Sequence, residues 1–299
     1  MPVRIPAWQG GSLWVRPFHG ATGYTKSGDS VIASFLALIF GLLIGSFLNV
    51  CIHRWPRNRS VVKPRSHCVR CRQPIAWYDN IPLVSYLVLG GRCRYCHARI
   101  SLRYPVVEFL TALLFFYQVR TLGPTLEGLK MCVLCAIAVA LIFCDLEKRI
   151  LPDELTKGGI VLGLCFAPFV PVPDFTAQMI FSLAGAQLPA WAGSVAESAV
   201  GAALPAFFLW FGGWLYLKIR HREGLGFGDV KLIAMVGSFL GLRGALITLI
   251  LGSFAGSLIG YSYIKIAGKD PATFELPFGS FLGAAALAAA VFSNWLLPM

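Results

Sequence analysis

Val31-Ile-Ala-Ser-Phe-Leu-Ala-Leu-Ile-Phe-Gly-Leu-Leu-Ile-Gly-Ser-Phe-Leu-Asn-Val-Cys-Ile52 carries no charge over 22 residues. As a helix it would reach roughly 33 Å, enough to cross a hydrocarbon core about 30 Å thick. Further apolar stretches lie at residues 105–120, 122–144, 156–172, 198–217, 230–242, 244–264 and 277–297. The 299-residue chain is 57% hydrophobic and 13% charged, with a mean hydropathy of +0.68. A soluble domain carries about 25% charged residues, so lipid must be the main solvent here. The expected fold is an all-α polytopic membrane protein with about eight transmembrane helices. Its least regular member is 230–242, whose uncharged core spans only Leu232 to Leu242. That stretch reads either as a re-entrant segment or as a span with its charged flanks immersed.

The net charge of +12 would suggest nucleic acid in a soluble protein. Here its distribution gives another answer. Eight spans divide the connections into two sets, and twenty of the 26 cations, from Arg54 to Lys269, fall in one of them. The other holds Arg120, Lys130 and Arg243, with Arg4, Arg16 and Lys26 in the N-terminal tail. By the positive-inside rule the first set is cytoplasmic and both termini are extracytoplasmic. The charge is thus a topology signal, and no nucleic-acid partner is expected. Residues 1–28 form a polar, Gly-rich tail without a signal-peptide layout, and residues 29–52 form the first span. Glycines at four-residue spacing, Gly41/Gly45, Gly237/Gly241 and Gly252/Gly256/Gly260, would let helix backbones approach closely.

Residues 53–104 are the polar segment large enough for a small cytoplasmic insertion. It contains Cys68-Val-Arg-Cys71 and Cys93-Arg-Tyr-Cys96. Two such knuckles present four thiolates to one tetrahedral ion, the zinc-ribbon arrangement. About 50 residues bury too little apolar surface to fold unaided, and structural Zn2+ would supply the difference. A reducing cytoplasm disfavours the rival, disulfides. Four thiolates leave no open coordination position for catalysis. His67 and His97 abut the knuckles as alternative ligands. Cys51, Cys132, Cys135, Cys144 and Cys165 lie in apolar stretches and read as small hydrophobes.

Acidic residues are costly in lipid and become functional candidates where they occur. Asp145 ends the third span, and Asp229 opens the sixth within Gly226-Phe227-Gly228-Asp229-Val230-Lys231. Counting crossings puts both at the cytoplasmic face. Two carboxylates that meet cannot both ionise and so share a proton. One then activates water while the other donates to a scissile carbonyl. Gly226 and Gly228 would let an extended peptide approach. The bland alternative is two independent interfacial carboxylates paired with nearby cations.

Gly226-Phe227-Gly228-Asp229 resembles the G-x-G-D signature of intramembrane aspartic proteases, and further motifs select within that class. Gly45-Ser46-Phe47-Leu48-Asn49-Val50 with Ile52-His53-Arg54 is similar to the opening of bacterial type IV prepilin peptidases. The two cysteine knuckles, Trp77-Tyr78-Asp79-Asn80-Ile81-Pro82, and Ile100-Ser101-Leu102-Arg103-Tyr104-Pro105 with Glu108 follow in order. Next come Asp145, Leu151-Pro152-Asp153, Gly228-Asp229-Val230-Lys231 and Pro277-Phe278-Gly279. The likeness covers residues 41–283. It implies a bifunctional enzyme of the bacterial inner membrane. Such an enzyme cleaves the basic leader of prepilins or type II secretion pseudopilins at the cytoplasmic face. It then N-methylates the new N-terminal residue with S-adenosylmethionine.

Asp145 and Asp229 match the family's catalytic pair. Cys68, Cys71, Cys93 and Cys96 match the cysteines of the methyltransferase half, as does Gly91 just before Cys93. The candidates for the methyl-donor site are Asn49, His53, Asp79, Asn80, Gly91 and Glu108. The peptidase domain would occupy residues 105–299 with seven helices. Asp153 reads as a cap of the next helix or as a catalytic alternate, and Lys231 as an orienter of Asp229 or an interfacial anchor. Glu108 would bind a substrate amine or pair with Arg103. Trp191 and Trp295 read as interface-belt aromatics. The rival readings are a peptidase without methylation, a transporter and a zinc-bearing assembly subunit. Nothing in the sequence addresses the oligomeric state.

Overall fold

The computed structural model describes residues 28–172, 174–183, 185, 188–221, 225–266, 268 and 276–292. The tail at residues 1–27 and Trp295 lie outside them. Among the described residues the chain forms nine α-helices and no β-strand: α1 Gly28–Arg54, α2 Val84–Val88, α3 Arg103–Leu122, α4 Leu126–Lys148, α5 Asp153–Phe166, α6 Thr176–Leu183, α7 Ala190–Arg220, α8 Phe227–Ile266 and α9 Phe278–Val291. Five helices are long and apolar enough to cross a membrane: those within Ser30–Arg57, Arg103–Leu122, Leu126–Lys148, Ala190–Arg220 and Phe227–Tyr263. The protein is a multi-pass helical membrane protein.

The centre of the bundle is α4. Leu134, Cys135, Val139, Ala140, Leu141 and Cys144 along it are fully buried. Thr125 caps its start, its hydroxyl accepting from the Gly128 amide. Arg149 ends it in the left-handed conformation, φ 53°, its amide bonded to the carbonyl of Asp145. That stop leaves Asp145 in the last turn. Cys51, Cys132, Cys135 and Cys144 are buried, as their apolar settings suggested, whereas Cys165 is exposed.

A 40-residue helix would measure about 60 Å if straight, twice the hydrocarbon thickness, and α8 is not straight. Gly241 interrupts it with φ 74° and ψ −174°. The Asp174 carboxylate accepts from the Arg243 amide 3.0 Å away, restarting the helix. The interruption falls just before the end of the first of the two apolar stretches, 230–242 and 244–264. The first part packs on α7 with almost no gap, since a Cβ on Gly237 would collide with the carbonyl oxygen of Gly201. Two short helices, α2 and α6, had no counterpart in the hydropathy pattern. Trp191, at the start of α7, is exposed.

The main partner of α1 is α3. A Cβ on Gly45 would stand 2.6 Å from the Glu108 Cα, and one on Gly41 2.7 Å from the Ala112 Cα. Backbone rather than a movable side chain fills the space. Gly45→Ala is therefore expected to destabilise the protein by about 1–3 kcal/mol, seen as an earlier unfolding midpoint in detergent. Gly158→Ala is the control: in α5 it would meet nothing within 4 Å, and should leave the midpoint unchanged or slightly raised.

Candidate active site and metal centre

Asp145, Asp229 and the start of α9 converge at one end of α4. Asp145 is 5% exposed and Asp229 9%. Oδ2 of Asp145 accepts two hydrogen bonds from Ser280, from its backbone N–H at 2.6 Å and its hydroxyl at 2.7 Å. Ser280 lies in the first turn of α9, where its amide, shared with the Pro277 carbonyl at 3.2 Å, turns toward an anion. Asp229 lies in the first turn of α8, near enough for a direct Coulomb interaction with Asp145. Its Oδ2 turns back over Gly226, where a Cβ would stand 3.3 Å away. Leu151 wedges between the two helix starts. Its side chain would lie 3.1 Å from a Cβ on Gly228 and 3.0 Å from one on Gly279, and the latter would also meet the Asp145 carboxyl at 3.2 Å. The structure thus brings the two predicted aspartates together. Two buried acids placed in this way can exchange protons with a water and an amide.

Asp153 stands apart. Pro152 occupies the N-cap of α5 and Asp153 is its first residue. Its carboxylate bridges Lys157, 2.7 Å away, and Lys231. These two cations hold it below the usual carboxylate range, Lys157 contributing more. Asp153 therefore ties α5 to the beginning of α8, two residues from Asp229, and does not cap α5 as the sequence suggested, because Pro152 holds the N-cap position and no side chain caps it.

The insertion folds around its cysteines. Each knuckle repeats the same backbone pattern. The Cys68 amide bonds the Gln73 carbonyl and the Arg72 amide the Cys68 carbonyl; the Cys93 amide bonds Ala98 and the His97 amide Cys93. Arg72 and His97 each close the turn with positive φ, 60° and 53°. The four sulfurs lie within 4.8 Å of one another, with Cys68–Cys96 at 3.8 Å and Cys71–Cys93 at 4.0 Å. Sulfurs about 2.3 Å from a central tetrahedral ion would be separated by roughly 3.8 Å, so the donor set fits zinc. Neither His67 nor His97 joins the cluster. Backbone N–H groups of Cys96 and then Tyr95 bring the Cys93 thiol down to about 7. Cys71 receives a lowering backbone bond from Gln73, yet burial and its sulfur neighbours push it up to about 11. One thiol ready to ionise beside another that holds its proton suits a cluster that releases protons on binding a cation.

Between this insertion and the bundle lies a cavity of about 520 Å³. One face of α1 lines it with Ser46, Asn49, Val50 and His53, and α3 contributes Arg103, Tyr104 and Glu108. The insertion adds Asp79, Asn80, Ile81 and Leu83, and α4 adds Glu147. Five of the six sequence candidates for a methyl-donor site thus share this cavity. Gly91 does not line it. It turns the chain before the second knuckle with φ 66°, and a Cβ there would strike the Tyr86 ring at 2.9 Å.

The polar groups are held in place. Glu108 Oε2 accepts from the Leu83 amide at 2.8 Å, so Glu108 fastens α2 to α3 rather than pairing with Arg103. Arg94 chelates Asp79 through two nitrogens, and that bond keeps the Asp79 carboxyl below its ordinary range. Arg57 donates to the His53 carbonyl. Asn49 Nδ2 donates to the carbonyls of Gly45 at 3.3 Å and Tyr104 at 3.0 Å. Arg103 pairs with Glu147 and lies over the Tyr104 ring at 4.7 Å. Two buried atoms in this wall, Asn49 Oδ1 and Arg103 Nε, have no partner among the described residues. An orphaned buried polar atom costs about 1–3 kcal/mol, so a cavity carrying one acceptor and one donor of this kind is built for a polar occupant.

Ser280 and Arg103 received no site role in the sequence reading. Ser280 directly follows Pro277-Phe278-Gly279, the one signal that could have marked it. Arg103 was one cation among many until the fold enclosed its side chain, which is 9% exposed.

Comparison with known proteins agrees with the arrangement of both halves. Residues 39–122 match the bacterial peptidase A24 N-terminal domain, and residues 132–261 match the type IV leader peptidase family. A prepilin leader peptidase/N-methyltransferase of Aeromonas salmonicida strain A449 is 35% identical over 275 residues, covering 84% of this chain and 87% of the relative. The protein of the same name from Myxococcus xanthus is 40% identical over 239 residues, 80% of this chain and 65% of the relative. That of Pseudomonas aeruginosa is 32% identical over 271 residues, covering 83% and 86%. No solved structure matches the chain. With the buried aspartate pair, the four-cysteine knuckles and these relatives together, the chain belongs to the type IV leader peptidase family.

Proposed function

We propose that this protein cleaves the basic leader from type IV prepilins or type II secretion pseudopilins and N-methylates the residue so exposed. The observation that carries the peptidase reading is the buried meeting of Asp145 and Asp229 at the starts of α8 and α9. The enzyme sits in the bacterial inner membrane with eight spans, both termini extracytoplasmic and both sites at the cytoplasmic face. The apolar helix of the substrate lies in the bilayer, which sets its leader junction at the level of the aspartates.

In this reading Asp145 is the carboxylate that takes a proton from the attacking water, because Ser280 directs two donors at one of its oxygens. Asp229 donates its proton to the scissile carbonyl oxygen as water adds to the carbon. Collapse of the tetrahedral intermediate breaks the C–N bond as Asp145 passes its proton to the leaving amine and a hydroxyl of the intermediate returns one to Asp229. Lys231, bound to Asp153, sets the start of α8 and with it Asp229.

The residues 39–122 unit, comprising α1, the insertion and α3, carries the second activity. Zinc held by Cys68, Cys71, Cys93 and Cys96 would cross-link the insertion and leave no open coordination position. Asn49, His53, Asp79, Asn80 and Glu108 would surround S-adenosylmethionine, which when bound supplies an electrophilic methyl group. Gly91 supports this site indirectly, by shaping the turn into the second knuckle. The intact knuckles favour this reading over a peptidase without methylation.

Prepilin cleavage in lipid, with mass spectrometry of the product with and without S-adenosylmethionine, tests the pair. Asp145→Asn and Asp229→Asn should each lower cleavage about a thousandfold; retained cleavage in either would remove that residue from the mechanism. Ser280→Ala should lower kcat of cleavage roughly tenfold to a hundredfold, the worth of a hydrogen bond to a charged group, with KM little changed. Ser280→Thr, which keeps both donors, should recover most of that loss. Elemental analysis should find one zinc per chain in the parent and little in Cys68→Ser/Cys93→Ser. Stripping the metal with a chelator should depress methylation more than cleavage, and the reverse order would contradict the assignment of the cysteines.

A further inference from the structure

We infer that Asn49 and Arg103 together seat an α-amino-acid group, the ammonium on Asn49 Oδ1 and the carboxylate on Arg103 Nε. This assignment rests on the methyl-transfer reading and identifies the end of the donor molecule that the cavity grips. The starting point is that Asn49 has no freedom to turn. It is 2% exposed, and both of its donor contacts are carbonyls, Gly45 on its own helix and Tyr104 on α3. Exchanging its oxygen and nitrogen would set oxygen against oxygen twice. Oδ1 is therefore fixed as an acceptor, and it has no donor among the described residues.

Arg103 precedes Tyr104, the residue whose carbonyl Asn49 holds, so both residues stand at the junction of α1 and α3. Glu147 occupies one terminal nitrogen of Arg103, and the Tyr104 ring lies against its guanidinium. These contacts orient the group and leave Nε, also buried, without an acceptor. Both residues line the same cavity. One fixed acceptor and one fixed donor complement a group that brings an N–H donor and an anionic oxygen on neighbouring atoms.

Two ligands of the reaction could bring a primary amine: the amino-acid end of the methyl donor and the new N-terminus of the pilin. The peptide offers an amine next to a neutral carbonyl, with no carboxylate for a guanidinium N–H. The amino-acid end satisfies both orphaned atoms at once.

The test is equilibrium binding to the full-length protein in nanodiscs. S-adenosylhomocysteine carries the amino-acid group, whereas 5′-methylthioadenosine keeps the nucleoside and thioether and lacks it. The parent should bind the first about a hundredfold more tightly than the second. Asn49→Leu should weaken S-adenosylhomocysteine about tenfold or more and leave methylthioadenosine within about threefold. Arg103→Leu should weaken S-adenosylhomocysteine but not its decarboxylated form. Equal affinity of the parent for the two nucleosides would overturn the inference without recourse to any variant. So would an unchanged nucleoside preference in Asn49→Leu, and a raised KM for the leaderless pilin alongside it would assign the amine to the pilin. If the parent bound neither nucleoside, the methyl-transfer reading itself would fail, a result separable from the others.

Discussion

A carboxylate largely enclosed by membrane helices must find most of its hydrogen bonds within the protein, and Asp145 meets that constraint with Ser280. Both donors come from one residue in the first turn of α9, and both reach one oxygen. The bond requires α9 to begin beside the last turn of α4. The Arg149 stop fixes where α4 ends, and Leu151 spaces α8 from α9 at the same level. The loop between α4 and α5 thus does two things. It terminates the helix that carries one acid and packs beneath the helix that carries the other. Asp153 and Lys231 clamp the far side.

The second half is built on a different economy. Here α1 lies close against α3 because Gly41 and Gly45 present no side chains to it. Their contact brings Asn49 to the Tyr104 carbonyl and Ser46 to the level of Glu108. The insertion between these helices has few large buried apolar residues, and its order comes from paired knuckles, the Glu108–Leu83 bond and the Arg94–Asp79 pair. The Arg103–Glu147 pair joins this half to α4, two residues beyond Asp145. The cavity therefore adjoins the end of α4 that carries Asp145.

The architecture was legible wherever chemistry is local. Apolar length marked the helices, since lipid imposes a minimum span. The cysteine spacing marked the four-sulfur cluster, since two-residue gaps close a knuckle. The two aspartates stood out because acids are costly in such segments. What the sequence hid were relations made by the fold. Hydropathy separated 230–242 from 244–264 but could not show that Gly241 joins them as one interrupted helix restarted by Asp174. Gly91 read as a site residue, and its place against Tyr86 is visible only once the turn is formed. Ser280 is an ordinary serine until α9 points its first turn at Asp145. Arg103 acquires meaning only when its side chain is enclosed against Tyr104 and Glu147.

Hydrolysis by a proton-sharing pair requires Asp145 and Asp229 to act as one unit. Single-turnover cleavage by the Asp145→Asn/Asp229→Asn double variant, set beside the two single variants, measures that directly. If the acids share one proton and one water, removing the second costs nothing further, and the double variant is no slower than the slower single variant. If instead the two losses multiply, the aspartates act independently, and the dyad is not the catalytic centre.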